Sequence, residues 1–478
     1  MITPNTLVKF SLIICSSVYI AAFNTDARYG LMFVLPIIYA LVLITINMSA
    51  GKRSKEVGYR SIKIVMLFRY VITPISVVAS QYYSGPGPEP VKSAISHAIV
   101  LMIYELICVG AAVSVYSIKY KTKDVEKIQV VKSEHNLFLW CYILATVLII
   151  SLINIRLIIP ANIIMITSEV GSISLQPERM GLIIILRNVL RVVLGITVLN
   201  FIYKMKIPET LKVVLSLVSL IMILSLYTST ARWDTLSISI VGIILLSRLY
   251  PNYKKMILIT ICSVMGVALT SVTIYKFLGY TSISISSYYS VLKETIEVIS
   301  RQFQVYFSGP RNVALSIDMS NGLNAKFLWL INDLFGSLPG LSHFFDQNIR
   351  FNLLYNQYIY SGNVVSQIIP LVGIGYNTMG FLLSPIITVG FILLVLKLNE
   401  LYKKTIFISN KYLLLYMIIY TSMCMGMSIQ ILTNKYYAVF IPTILLITAN
   451  KIITKLFTKL GNSRSFYRDN KYMEHKDV

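Results

Sequence analysis

Two arginines four positions apart, Arg187 and Arg191, stand inside an apolar run over 181–203. On a helix that spacing puts both on one face. A charge at mid-bilayer costs roughly 2.5–3.5 kcal/mol on insertion scales, so a pair demands a physical cause. Two cations on one face suit an anionic group such as a lipid diphosphate. The alternative is pairing with a carboxylate, for which Glu105 is available, or with helix-end carbonyls. A second group is Arg232-Trp233-Asp234, surrounded by the hydroxyls of Thr228, Ser229, Thr230 and Thr235. Arginine can fork onto diphosphate oxygens, tryptophan can stack on a sugar ring, and the aspartate could take a proton. The competing reading is an interfacial aromatic belt with a loop ion pair.

More such residues lie in a long segment, 275–373. Arg301 falls on the polar side of an amphipathic pattern in which Leu292, Ile296, Ile299, Phe303 and Tyr306 step by four, three, four and three. Gly309-Pro310 ends that helix, and Arg311, Asn312 and Asp318 follow. A second charged group comprises His343, Asp346 and Arg350. Tyrosines are frequent here, Tyr288 and Tyr306 among them; such surfaces suit carbohydrate faces, although tyrosine is also an interfacial residue. A further helix is expected across 325–335, and a Gly/Pro/Ser turn at 336–340. The run 364–372 is apolar but too short to span, so it is re-entrant or interfacial.

The elements that must position these groups are membrane helices. Of 478 residues, 56% are hydrophobic and 13% charged, about half the charge of a soluble chain. Runs of about 20 apolar residues cross a bilayer. Such runs fall near 8–24, 30–48, 64–80, 94–118, 136–155, 181–203, 213–229, 235–249, 256–274, 374–396, 412–429 and 438–454, giving twelve spans. The first reads as an anchor helix rather than a removed signal. With the N-terminus cytoplasmic, 28 of the 43 Lys and Arg and nine of the 20 Asp and Glu fall on the cytoplasmic side. About +19 of the formal +23 is therefore a topology signal and not a nucleic-acid footprint. The expected fold is an all-α polytopic integral membrane protein. It has a nine-helix region over 1–274, an extracytoplasmic segment over 275–373, a three-helix region over 374–454 and a basic cytoplasmic tail over 455–478. Arg69, about six residues into its span, is expected to snorkel to the interface. Glu105 needs a partner, which Arg69 or Arg191 would provide.

Other chemistries find little support. Gly51-Lys52-Arg53-Ser54 lacks the earlier glycine of a phosphate loop. The four histidines are scattered, and the five cysteines have no metal or redox spacing, so no metal site is expected. No internal repeat is evident.

These features together resemble the bacterial O-antigen and capsular repeat-unit polymerases, the Wzy-type family. The resemblance rests on many spans with one long extracytoplasmic segment near the C-terminal third. It rests also on the Thr/Ser-then-Arg break Thr228-Ser229-Thr230-Ala231-Arg232, and on the Gly/Pro-punctuated run from Gly362 through Pro370, Gly373 and Gly375 to Gly380. Where small residues are more usual this chain has Ala231-Arg232-Trp233. The resemblance implies a polyprenyl-phosphate-dependent membrane glycosyltransferase on the outer face of the plasma membrane, without cofactor or metal. It would take an undecaprenyl-diphosphate-linked glycan as donor and another as acceptor, among membrane lipids, with a chain-length regulator and a flippase as partners and no nucleic acid. Arg232 would match the family's outer-face arginine. Arg187, Arg191, Arg301, Arg311 and Arg350 are further diphosphate contacts, and Trp233, Tyr288 and Tyr306 are sugar contacts. Asp234, Asp318 and His343 are candidate bases, undecided among themselves. The rivals are an O-antigen ligase and a lipid-linked oligosaccharide flippase or other transporter, the latter predicting matched halves and short loops.

Overall fold

The computed structural model describes residues 4–83, 87–120, 132–154, 177–225, 232–278, 288–320, 327–336, 338, 344–346, 349–360 and 367–456. Among these residues the chain is helical throughout, with a single isolated β-bridge between Lys132 and Phe407. From the N-terminus the helices are α1 (Pro4–Phe23), α2 (Val34–Ala50), α3 (Val57–Leu67), α4 (Thr73–Ser80), α5 (Lys92–Lys119) and α6 (Leu137–Asn154). There follow α7 (Pro177–Lys204), α8 (Glu209–Ser225), α9 (Arg232–Leu249), α10 (Lys254–Leu278), α11 (Tyr288–Tyr306) and α12 (Pro310–Ser320). The last are α13 (Phe327–Phe335), α14 (Phe351–Tyr360), α15 (Leu371–Leu383), α16 (Ile386–Lys404), α17 (Ile408–Ser422) and α18 (Ile429–Lys435).

Most of the apolar runs read from the sequence fall on helices where they are described. Five helices among the described residues are long and apolar enough to cross a membrane, at Ala27–Lys55, Val57–Ser80, Lys92–Lys119, Leu182–Lys204 and Ile429–Leu456. Several other runs sit on shorter or more charged helices; α17 has 15 residues, and α9 carries Arg232, Asp234 and Arg248. The run 374–396 is not one straight rod. Helices α15 and α16 pass the same test only as a pair, bent by 103°. The bend falls at Ser384-Pro385, where the proline offers no N–H to continue a helix. Leu12, Val18, Leu144 and Leu152 lie bare on the surface, as apolar side chains do against lipid.

Two internal distortions share one cause. Phe68–Ile72 and Tyr436–Phe440 are single π-helical turns, and each ends two residues before a proline, Pro74 and Pro442. Pro74 cannot donate to the carbonyl one turn back, so the helix widens. The Thr73 N–H reaches the Phe68 carbonyl, which the Thr73 hydroxyl also takes at 2.8 Å. Arg69 sits inside that widened turn.

The contacts divide the chain into two compact units. The first comprises Met1–Lys127, Ile283–Lys403 and Met417–Lys435. In it α5 packs along α2 and against α12, while α11 lies on α4 and α12 on α15. Thus the helices of the long segment fold onto the apolar helices of their own unit. Two glycines permit this. A Cβ on Gly373 would lie 2.2 Å from the Ser316 hydroxyl of α12, and one on Gly426 would lie 2.1 Å from the Tyr306 carbonyl. The second unit comprises Ile128–Ser282, Lys404–Tyr416 and Tyr436–Val478. Here α7 packs on α6 and α8, and α9 on α8 and α10. Asn200 holds both backbone groups of Glu134, at 3.1 and 2.7 Å, and Lys451 pairs with the Glu134 carboxylate at 3.5 Å.

Candidate functional site

The first unit buries an ion pair. Arg69 Nη2 lies 2.8 Å from Glu105 Oε2, both residues fully buried. The Arg69 guanidinium also donates to the Met425 carbonyl and lies over the Tyr70 ring. Tyr70 donates its hydroxyl to Glu105 Oε2 at 3.0 Å, and Thr388 donates to Oε1 at 2.8 Å. The expected snorkelling of Arg69 is overturned. The π-turn, the Glu105 carboxylate and the Met425 carbonyl enclose the guanidinium, and of its two sequence-level partners Glu105 finds Arg69. The carboxylate is satisfied on both oxygens, the arrangement a buried charge requires.

The second polar region is α12. Its turn begins at Pro310, the first helical position that proline favours, and every residue from Pro310 to Met319 is buried. Arg311, only 2% exposed, donates to the Pro88 carbonyl at 3.1 Å and reaches the Gly87 carbonyl at 3.5 Å. Asp318, 8% exposed, accepts the Val91 N–H on Oδ2 at 2.8 Å, closing the first turn of α5; its Oδ1 has no hydrogen-bond partner. Arg311 and Asp318 thereby clasp the 87–91 loop at its two ends. Burial raises the Asp318 carboxyl above its ordinary range, the Val91 N–H opposing. Asn312 donates to the Gln304 carbonyl at 3.1 Å, and Tyr355 donates to the Asn312 carbonyl at 3.1 Å.

A third charge in this unit has no counterpart among the residues singled out from the sequence. Asp333 on α13 is fully buried, and burial pushes its carboxyl up to about 7, against the positive charge of Arg350 and the Phe351 N–H. Arg350 itself donates to the Gly336 carbonyl at 2.7 Å. The folded state therefore holds the Asp333 proton more tightly than the unfolded chain, whose value is near 3.8. Stability from this group is full below pH 4 and is lost as the pH rises to about 7. In a melting series from pH 4 to 8, Asp333→Asn should flatten the decline of the wild type, a difference of up to about 4 kcal/mol.

The second unit brings two sequence groups to one side chain. Tyr416, midway along α17 and fully enclosed, has its hydroxyl 3.4 Å from Asp234 Oδ1 on the first turn of α9. It also lies in the field of Arg191. Arg191 donates through Nε to the Ile223 carbonyl at 3.1 Å. Tyr416 packs edge-on against Phe440 of the second π-turn, with centroids 5.2 Å apart. Arg187 is half-buried on the same helix as Arg191.

Of the remaining candidates, Arg301 is exposed and Tyr306 half-buried on α11, and Arg350 is half-buried beside Asp333. Arg232 and Trp233 begin α9 and Tyr288 begins α11, but their side chains lie outside the described residues, as does all of His343. The structure thus joins Arg191 with Asp234 in one unit and Arg311 with Asp318 in the other. Sequence reasoning missed Tyr416 and Asp333. An aspartate within the apolar 325–335 helix was the available signal for the second. No protein-family model matches the chain, and neither does any curated protein or solved structure.

Proposed function

We propose that the chain is a membrane glycosyltransferase that polymerises undecaprenyl-diphosphate-linked oligosaccharide repeat units into a surface polysaccharide on the outer face of the plasma membrane. Twelve crossings with both termini cytoplasmic belong to this reading. The observation that carries it is α12: within a segment too long for a linker, a helix holds an arginine and an aspartate buried and fixed by backbone partners. Fixed charges of this kind are what a reaction expelling a diphosphate uses.

In the proposed step the bond between the donor sugar's anomeric carbon and the diphosphate oxygen breaks. A new bond forms from that carbon to an acceptor hydroxyl, and the diphosphate leaves on its lipid. Arg311, on the same helix as the base, is the cation assigned to that leaving group, its planar fork matching the diphosphate oxygens. Asp318 is the base assigned to the hydroxyl proton. What supports it over Asp234 is its second oxygen, which has no hydrogen-bond partner, whereas Asp234 Oδ1 faces the Tyr416 hydroxyl. A carboxyl raised by burial is also a better base near neutral pH.

Deletion of the gene followed by analysis of lipid-linked glycans tests the reading. Single repeat units should persist on the outer face while polymer disappears. Units trapped on the inner face would indicate a flippase, and polymer made but left unattached to its final lipid would indicate a ligase.

A further inference from the structure

One turn of the first unit carries polar atoms that no partner satisfies. Ser300 Oγ and Gln304 Oε1 on α11, and Ser308 Oγ just beyond it, are buried without a hydrogen bond. Native structures satisfy nearly all such atoms, so three within nine residues require an explanation. Ser308 adopts φ of +48°, the left-handed conformation common just past a helix end.

The turn is rigidly built. Gly309 donates its N–H to the Gln304 carbonyl at 2.9 Å, and Asn312 donates to the Gly309 carbonyl at 3.0 Å. A Cβ on Gly309 would lie 3.0 Å from Thr73 Cγ2 and 3.2 Å from Gln304 Cγ, so the Gln304 side chain runs beside this turn. The Gln304 amide nitrogen is spoken for by the Tyr82 carbonyl at 3.4 Å, which leaves its oxygen as an acceptor. Beside the same turn Phe68 stacks on Phe307, with centroids 4.9 Å apart and planes 11° apart, and Phe303 lies 6.0 Å from Phe68. Phe68 and Phe303 are only half-buried.

Hydroxyls and an amide oxygen beside aromatic rings are the chemistry that recognises a neutral saccharide, whose hydroxyls pair with the polar atoms while its C–H face lies on a ring. We infer that the turn from Ser300 to Ser308, with Phe68, Phe303 and Phe307, is a saccharide-binding subsite. Gln304 Oε1 accepts from one sugar hydroxyl and Ser308 Oγ pairs with a neighbouring one. This rests on the proposed function, since it takes the glycan of the lipid-linked substrate as its ligand. The subsite recognises sugar and not the diphosphate; no arginine is part of it.

The test uses the full chain in nanodiscs with two probes. One is the lipid-linked oligosaccharide extracted from the deletion strain, and the other is bare undecaprenyl diphosphate. Wild type should bind the first more tightly than the second. Ser308→Gly suits the left-handed φ, so it should melt at or above the wild-type temperature. It should nevertheless lose about tenfold in affinity for the oligosaccharide, with affinity for the bare lipid unchanged. Gln304→Met, which keeps the chain length and removes the acceptor, should do the same. Equal wild-type affinity for both probes, or full discrimination retained by a folded Ser308→Gly, would overturn the subsite. If discrimination is present and lost as expected while the deletion strain still makes polymer, the subsite stands and the polymerisation reading falls.

Discussion

Glu105→Leu is expected to destabilise the protein by about 3–5 kcal/mol, the cost of leaving a buried charge without its partner. Arg69 is fully enclosed and cannot turn to water. After the substitution its remaining polar contact is the Met425 carbonyl, and Tyr70 and Thr388 each lose the acceptor they now share. Melting of the detergent-solubilised protein, or the yield of monodisperse material, reads the effect directly. The paired change Arg69→Met with Glu105→Leu should recover most of the loss, because two apolar side chains of similar volume replace a pair whose attraction only offsets its desolvation. A single variant as stable as wild type would mean that the pair contributes nothing.

Under the proposed function, Asp318→Asn is expected to abolish polymer formation while leaving the protein folded. The asparagine side-chain oxygen still accepts the Val91 N–H, so the end of α5 stays closed. The variant loses only basicity, and general-base catalysis is typically worth 10²–10⁴ in rate. Loss of polymer in a strain carrying this variant, with single repeat units accumulating beside a normal amount of the protein, is the expected readout. Full polymer from Asp318→Asn would remove Asp318 from the reaction and leave Asp234 and His343.

Much of this architecture is legible in the sequence, for identifiable causes. Apolar runs report helices because burial and lipid both demand them. The amphipathic spacing from Leu292 to Tyr306 and the stop at Gly309-Pro310 agree with α11, which ends at Tyr306. Helix α12 is less legible, because Arg311, Asn312, Ser316 and Asp318 break up its apolar residues, and its burial comes from packing on α5 and α15. The same holds for Arg69: six residues into a span, a long side chain could have reached water. Only the π-turn and the return of Glu105 and Met425 decide that it does not. Pro74, Pro442 and Pro385 were signals in plain view, each marking a place where a continuous apolar run does not make a regular rod. Convergence of Arg191 and Asp234 on Tyr416 depends on three separate helices, and no local pattern encodes it.

The bond between the Val91 N–H and Asp318 joins residues 227 positions apart. A ribosome adding about 5–20 residues per second therefore finishes α5 roughly 10–40 seconds before its terminal acceptor exists. During that interval the Gly87 and Pro88 carbonyls also wait for Arg311. The early part of the first unit is thus an open receptor for its own later chain, and the second unit's α6 to α10 are synthesised in between. Assembly of this protein has a built-in order in which α12 is the closing piece. A nascent chain stalled before Pro310 should carry an α5 whose first turn exchanges its amide protons freely.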